Sequence, residues 1–397
     1  MVHPLNPAIA ATFPPPVMEA RRWLQGLTFS HERPLINVSQ AAPVDSPPLA
    51  LREALAEAAI NDPQAHLYGP VLGMPELRAE IAVQWSQAYG GAIAPDQVAI
   101  TQGCNQAFTA VMSTLAGAGD EVIVPTPWYF NHKMWLDMQG VRTVPLAAGD
   151  GLLPDPERAA ALIGPRTRAI VLVSPNNPGG VEYPPALVAA FRDLCRAQGI
   201  ALVLDETYRD FDSRHGLEIG GRPHELFSDP DWADVLVHLY SFSKAYRLTG
   251  HRVGAIVASA ARLSEVEKFL DTVAICPSQL GQIGALWGMR NLAQWVAGER
   301  AEILDRRRAM VDGFSALEGW RLLGCGAYFA YVEHPFDAPS PEVARRLVRE
   351  QAVLMLPGTM FQPDEHPEGA RQFRIAFANA DRKGIAEMFA RLKSFSW

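Results

Sequence analysis

From about residue 46 to residue 285 the chain keeps one rhythm: stretches with helical spacing of apolar residues alternate with short, continuous apolar runs. Such runs suit strands buried on both faces of a largely parallel sheet, because each parallel connection must cross back over the sheet, usually through a helix. Helices are expected at residues 48–60, 74–89, 106–116 and 185–198, and strands at 97–100, 121–124, 169–173, 201–204, 235–240 and 253–258. After Gly281 the texture changes. A helical stretch running through 303–317 precedes strand-like runs at 327–332, 353–356 and 374–377. The expectation is an α/β protein with a mostly parallel central sheet flanked by helices. Residues 46–285 would form this large domain, 286–397 a smaller α/β domain, and 1–45 an N-terminal arm and a segment of the smaller domain.

In parallel α/β sheets ligands bind beyond the carboxyl ends of the strands. Here those ends are Thr101-Gln102-Gly103-Cys104-Asn105, Pro125-Thr126-Pro127-Trp128-Tyr129, Ser174-Pro175-Asn176-Asn177, Asp205-Glu206-Thr207-Tyr208 and Ser241-Phe242-Ser243-Lys244. Five ends carrying polar or aromatic groups define a site. Lysine chemistry has few addresses, since the chain holds only Lys133, Lys244, Lys268, Lys383 and Lys393.

Ser241, Ser243 and Arg252 offer two hydroxyls and a guanidinium, which together clamp a phosphate. The Gly103-Cys104-Asn105 turn, directly before a helix, adds backbone amides and the positive end of a helix dipole. No GxxxxGK[ST] motif is present, so this is not a nucleotide P-loop. A phosphate clamp that also contains Lys244 points to a phosphorylated aldehyde held as an imine. Asp205, at the end of an apolar run, is costly to bury unless a cation such as a protonated pyridine nitrogen compensates it. Asn177 and Tyr208 can donate to a phenolate oxygen, and Tyr129 or Trp128 can stack on a ring. Each of these has a bland alternative as a turn or core residue. Jointly they describe pyridoxal phosphate.

At this point the sequence resembles the fold type I pyridoxal-phosphate enzymes, specifically the class I/II aminotransferases, from about Ile36 to Phe377. The pattern SxSKxxxxxGxRxG is complete at Ser241–Gly254, and D-x-x-Y is met by Asp205 and Tyr208. The resemblance implies that Lys244 forms the Schiff base, Asp205 pairs with the pyridinium nitrogen, and Tyr208 and Asn177 bond the ring oxygen. It also implies that Ser241, Ser243, Arg252 and the amides of Cys104 and Asn105 hold the phosphate, and that Tyr129 covers the ring. Tyr68 resembles the tyrosine that reaches the neighbouring subunit's phosphate, which implies a homodimer. Arg374, in Phe-Arg-Ile-Ala-Phe, resembles the arginine that binds the substrate α-carboxylate.

Three segments depart from the family pattern: Asn177-Pro178-Gly179-Gly180, where glycine is expected only to loosen the turn; Ala41, where the family places a glycine beside substrate; and Pro357-Gly-Thr-Met-Phe-Gln362. No arginine lies in residues 270–277, where a distal-carboxylate clamp belongs, so a dicarboxylic donor is not supported there. Trp23, Trp128 and Tyr328 read as core aromatics rather than a side-chain pocket. The implied reaction is transamination between an L-amino acid and a 2-oxo acid. Elimination, oxidation or cyclisation on the same cofactor shell stays open, because Ala41 and Gln362 lie near where family substrates sit.

Other classes fare worse. A net charge of -8 without a basic block argues against nucleic acid or anionic lipid. A regulator fused to a DNA-binding module needs more than the roughly 45 residues that precede the domain. No apolar stretch approaches the ~18 residues of a membrane span, the N-terminus does not read as a signal peptide, and a cytoplasmic location is expected. Cys104, Cys195, Cys276 and Cys325 are widely spaced, so buried free thiols are expected and no metal site.

Overall fold

The computed structural model describes residues 3–213 and 223–397. In chain order its strands are β1 (Ile36–Asn37), β2 (Val98–Thr101), β3 (Glu121–Thr126), β4 (Arg142–Ala147), β5 (Thr167–Val173), β6 (Ala201–Asp205), β7 (Leu236–Ser241), β8 (Gly254–Val257), β9 (Arg321–Gly326), β10 (Phe329–Glu333), β11 (Val353–Leu354), β12 (Leu356–Pro357) and β13 (Gln372–Ile375). Seven form a central sheet in the order β2-β8-β7-β6-β5-β3-β4. The pairs from β7 through to β4 are parallel, and β8 runs against both β2 and β7.

The apolar runs become strands because both faces are covered. Ile170, Leu172, Leu202 and Leu204 pack toward Trp85 and Phe191, whereas Val171, Val203 and Val237 pack toward Phe108, Val111 and Leu263. Successive residues thus enter opposite layers, as the pleat requires. The expected helices appear as Leu49–Asn61, Pro75–Tyr89, Cys104–Leu115 and Pro185–Gln198.

Strand β4 was not foreseen. It lies at the sheet edge with alternating exposure, so it carries Arg142 and Pro145 where a central strand could not. The long helix begins earlier than expected, at Ala293–Ser315, because Val296, Ile303, Met310 and Phe314 form one buried stripe. The expected strand 353–356 is two: β11 pairs with β1 in parallel, and β12 pairs with β13.

A second, antiparallel sheet of order β12-β13-β10-β9 shares its core with Phe314, Leu347 and Met388. The β1–β11 pair carries the chain onward, with Val38 bonding Leu354 and Ala376 through the backbone. Residues 39–41 are thereby brought to the carboxyl edge of the central sheet. Cys104, Cys195 and Cys325 are buried, but Cys276 is only half-buried, and its sulfur accepts from the Gly69 amide at 3.5 Å. Among the described residues no helix is long and apolar enough to cross a membrane.

Candidate active site

A cavity of about 510 Å³ opens at the carboxyl edge of the central sheet. The register explains its position: Thr101 and Ser241 both oppose Gly254, and Val173 opposes Asp205, so the strand ends stand level. Of the residues expected at the site, Ala41, Cys104, Asn105, Tyr129, Asn177, Asp205, Tyr208, Ser241, Ser243, Lys244, Arg252 and Arg374 line it. Gly103 lies beneath Arg252. Tyr68 does not line the cavity in its own chain and is 80% exposed. Trp128 and Tyr328 pack in the core, and Trp23 packs partly buried against it.

One end of the cavity is built for an anion. The helix Cys104–Leu115 starts at Gly103 with no side chain capping it, so its first amides are free for an outside acceptor. Gly103 has φ +86, and a Cβ there would stand 2.1 Å from Arg252 Nη2. A Cβ at Gly254 would stand 2.7 Å from the Cys104 amide nitrogen. Only glycines let the turn, the guanidinium and β8 close on one another. Arg252 Nη1 donates to the Thr249 carbonyl at 3.1 Å and lies 3.4 Å from Ser243 Oγ. It has no carboxylate partner among the described residues. Two hydroxyls, free helix amides and an uncompensated guanidinium fit a phosphate.

Asp205 is buried on the cavity wall. Thr207 donates to its Oδ1 from the amide at 3.0 Å and the hydroxyl at 2.7 Å, and His132 Nε2 lies 3.4 Å from Oδ2. Burial pushes this carboxyl up, but the bond and charge of His132 and the Thr207 bonds outweigh it and hold the group below its ordinary value. An ionised carboxylate in a dry wall fits a protonated ring nitrogen. Sequence reasoning missed His132, which is set by the helix Phe130–Met138 and stacks on Phe108 with ring centroids 3.9 Å apart. The one signal was a histidine three residues after Tyr129.

Lys244 Nζ donates to the Ala41 carbonyl at 2.6 Å and lies 5.6 Å from the Tyr208 ring centroid. Desolvation, with the Arg252 and Arg374 charges, lowers its pKa to about 8. Arg374 is buried on an inner strand of the second sheet, not exposed on an edge. Its Nη1 donates to Asn177 Oδ1 at 3.1 Å, its Nη2 to the Ser39 carbonyl, and its Nε has no partner. Burial lowers its pKa to about 10, yet it stays charged at neutral pH. An orphaned buried guanidinium N–H fits a carboxylate ligand.

The turn after β5 is tighter than its glycines suggested. Asn176 Oδ1 accepts from the Gly179 amide at 2.8 Å, and a Cβ at Gly179 would stand 2.8 Å from that oxygen. Gly180 (φ +72) backs onto the Phe329 carbonyl, 2.4 Å from where a Cβ would sit. The glycines seat Asn177 against the second sheet rather than loosening it.

A phosphate cup, a lysine, a buried carboxylate and an arginine from a second sheet define an α/β enzyme of the fold type I pyridoxal-phosphate class. Residues 33–392 match the family model for aminotransferase class I and II. The chain is 30% identical to a valine–pyruvate aminotransferase of Mycobacterium tuberculosis over 91% of each protein, and 32% identical to an arginine–pyruvate transaminase of Pseudomonas aeruginosa over 75% of each. It superposes on a crystal structure of an aminotransferase from Mycobacterium tuberculosis with a TM-score of 0.84, 28% identity and 97% coverage of both chains. A Thermus thermophilus aspartate aminotransferase shares the fold, with a TM-score of 0.86, 24% identity and 99% coverage of both.

The chain belongs to the class I and II aminotransferases. It is a pyridoxal-phosphate-dependent enzyme that moves an amino group between an amino acid and a 2-oxo acid.

Proposed function

We propose that the residues of the cavity divide this reaction as follows. Ser241, Ser243, Arg252 and the amides of the Gly103-Cys104-Asn105 turn would hold the cofactor's phosphate, Asp205 would pair with its ring nitrogen, Asn177 and Tyr208 would donate to its ring oxygen, and Tyr129 would cover its face. Bound pyridoxal phosphate supplies the electron sink that accepts the charge left when the α C–H bond of an amino acid breaks. Arg374, with Asn177, takes the α-carboxylate and orients that bond, beside Ala41. Lys244 would hold the cofactor covalently at rest, and its freed Nζ would take the α-proton and return it. Its lowered pKa, about 8, suits both tasks near neutral pH.

One observation carries this reading: Arg374 and Lys244 donate to Ser39 and Ala41 of a single segment, in the cavity that Asp205 also lines. Both side chains thus converge on one three-residue segment, so the α-carboxylate and the α-carbon of one small substrate can lie beside Arg374 and Lys244 together. The test mixes purified enzyme, without acceptor, with single L-amino acids, and follows the cofactor's visible spectrum and its mass. Conversion to pyridoxamine phosphate with the matching oxo acid is expected. Consumption of the amino acid with the cofactor unchanged overturns the return of the proton by Lys244 and favours elimination, oxidation or cyclisation in the same cavity.

We also propose a cytoplasmic homodimer in which Tyr68 completes the phosphate cup of the partner. Tyr68 and Leu67 are 80% and 56% exposed, and Gly69 touches Cys276, next to the 43% exposed Ile275. Exposed apolar side chains so grouped mark an interaction surface. Sedimentation at twice the chain mass is expected.

A further inference from the structure

The arm brings another guanidinium to the mouth of the same cavity. The helix Pro16–Arg22 lies there, and Pro15, Val17, Met18 and Arg21 line the opening opposite Gln40 and Ala41. Ala20 is fully buried and Val17 packs in the cluster of Leu354 and Phe361, so the helix is fixed. Its acid is already engaged: Glu19 accepts from Arg22 Nη1 at 2.9 Å and from Trp23 Nε1 at 3.1 Å. Arg21 has no carboxylate partner among the described residues. Its Nη2 donates to Oε1 of the neutral Gln40 at 2.6 Å, and the Gln40 backbone is held through its carbonyl by Asn379.

Three cations therefore meet three successive residues: Arg374 on the Ser39 carbonyl, Arg21 on the Gln40 side chain and Lys244 on the Ala41 carbonyl. We propose that Arg21 is the specificity residue for the far end of the substrate, taking the distal carboxylate of a dicarboxylic amino or 2-oxo acid whose α-carboxylate lies on Arg374. This rests on the reading of Arg374 given above. A guanidinium has five donors in a fork, and a neutral amide occupies one of them; a carboxylate takes two in parallel and adds charge. A substrate with an apolar end leaves Arg21 on Gln40. The charge missing from residues 270–277 is supplied here by the arm of the same chain.

The test is calorimetric titration of the pyridoxal-phosphate-loaded enzyme with unreactive succinate, glutarate and adipate, each against butyrate. The wild type is expected to prefer a dicarboxylate of one length. Arg21→Gln should cut that preference about fivefold, a modest factor because Arg21 is exposed and its pairing screened, and Arg21→Lys should fall between. A wild type without preference, or an Arg21→Gln variant that weakens butyrate equally, overturns the proposal. Arg374→Lys, expected to weaken all four ligands alike, reads the α-carboxylate assignment separately. An enzyme that keeps the preference but transfers no amino group retains this inference and loses the roles given to Lys244.

Discussion

His132 Nε2 stands 3.4 Å from Asp205 Oδ2 while its ring lies on Phe108, at an interplanar angle of 17°. The imidazole thus supports the carboxylate from behind the cavity wall. Without it, only the Thr207 bonds oppose burial, and the Asp205 carboxyl rises. His132→Leu should lower kcat about tenfold, the scale of losing one hydrogen bond to a charged group, with KM little changed if Arg374 holds the substrate as proposed. Steady-state kinetics check this, and a raised KM at constant kcat would place His132 in substrate binding instead.

The proposed phosphate cup depends on the absence of side chains. Gly254→Ala puts a methyl 2.6 Å from the Gly103 carbonyl carbon, which forces the turn away from Arg252. Cofactor affinity should fall about tenfold, on the order of 1.4 kcal/mol. Arg252→Ala should weaken binding as well, and the double variant should lose less than the sum, because both act on one contact set. Absorbance titration of the apoenzymes with pyridoxal phosphate reads all three.

Lys244 gives a pH signature. Its pKa of about 8 lies below the ordinary 10.5, so the neutral amine needed for cofactor capture grows in as pH rises through about 8. The rate of reconstitution of apoenzyme should climb over that range and then level. The folded apoenzyme binds fewer protons here than the unfolded chain, so its stability rises with pH between the two values. Apo Lys244→Met should therefore be more stable than apo wild type at pH 7, with the gap closing toward pH 10. Chemical denaturation at the two pH values tests the sign.

How much of this was legible in the sequence depends on how far apart the partners lie. Lys244, Ser241 and Ser243 were readable because they share a strand end, and Asp205 because an acid closing an apolar run demands an explanation. Arg374 was readable only through the resemblance, since its burial comes from the pairing of β13 with β10 and β12. His132 and Asp205 sit on separate elements, and no local pattern joins them. Arg21 lies on a short helix whose position over the cavity is set by packing against Leu354 and Phe361. Strand β4 was hidden because an edge strand tolerates the proline and arginine that argue against a central one.

A buried network behind the site sets acid stability. Glu206 is 2% exposed and bonded to Tyr89 and to His238 Nε2 at 2.9 Å, with His224 Nε2 at 3.4 Å. Burial pushes the carboxyl up, but the two histidines outweigh it and hold it well below 4.5. Glu206→Gln should cost about 2 kcal/mol at pH 7, the scale of hydrogen bonds lost from a buried charged group. A carboxyl lowered by folding stabilises above its unfolded value and loses that contribution as pH falls through the folded one. The wild-type advantage should persist down to about 4.5 and shrink below it, as urea unfolding at several pH values will show.

Tyr68 and Lys244 allow the dimer and the site to be tested together. Tyr68 is 80% exposed and does not line the cavity of its own chain, which fits a hydroxyl that serves the cofactor of a partner. Tyr68→Ala homodimers should bind pyridoxal phosphate about tenfold more weakly, the loss of one hydrogen bond to a charged group. Lys244→Ala homodimers should be inactive. If Tyr68 crosses the interface, a dimer of one Tyr68→Ala chain and one Lys244→Ala chain has one site that combines an intact Lys244 with the partner's intact tyrosine. Refolding the two variants together should then restore up to a quarter of wild-type activity per chain at limiting cofactor, since about half of the dimers are mixed and each has one sound site of two. Were Tyr68 to act within its own subunit, the mixed dimer would contain no sound site, and activity would stay at the average of the two parents.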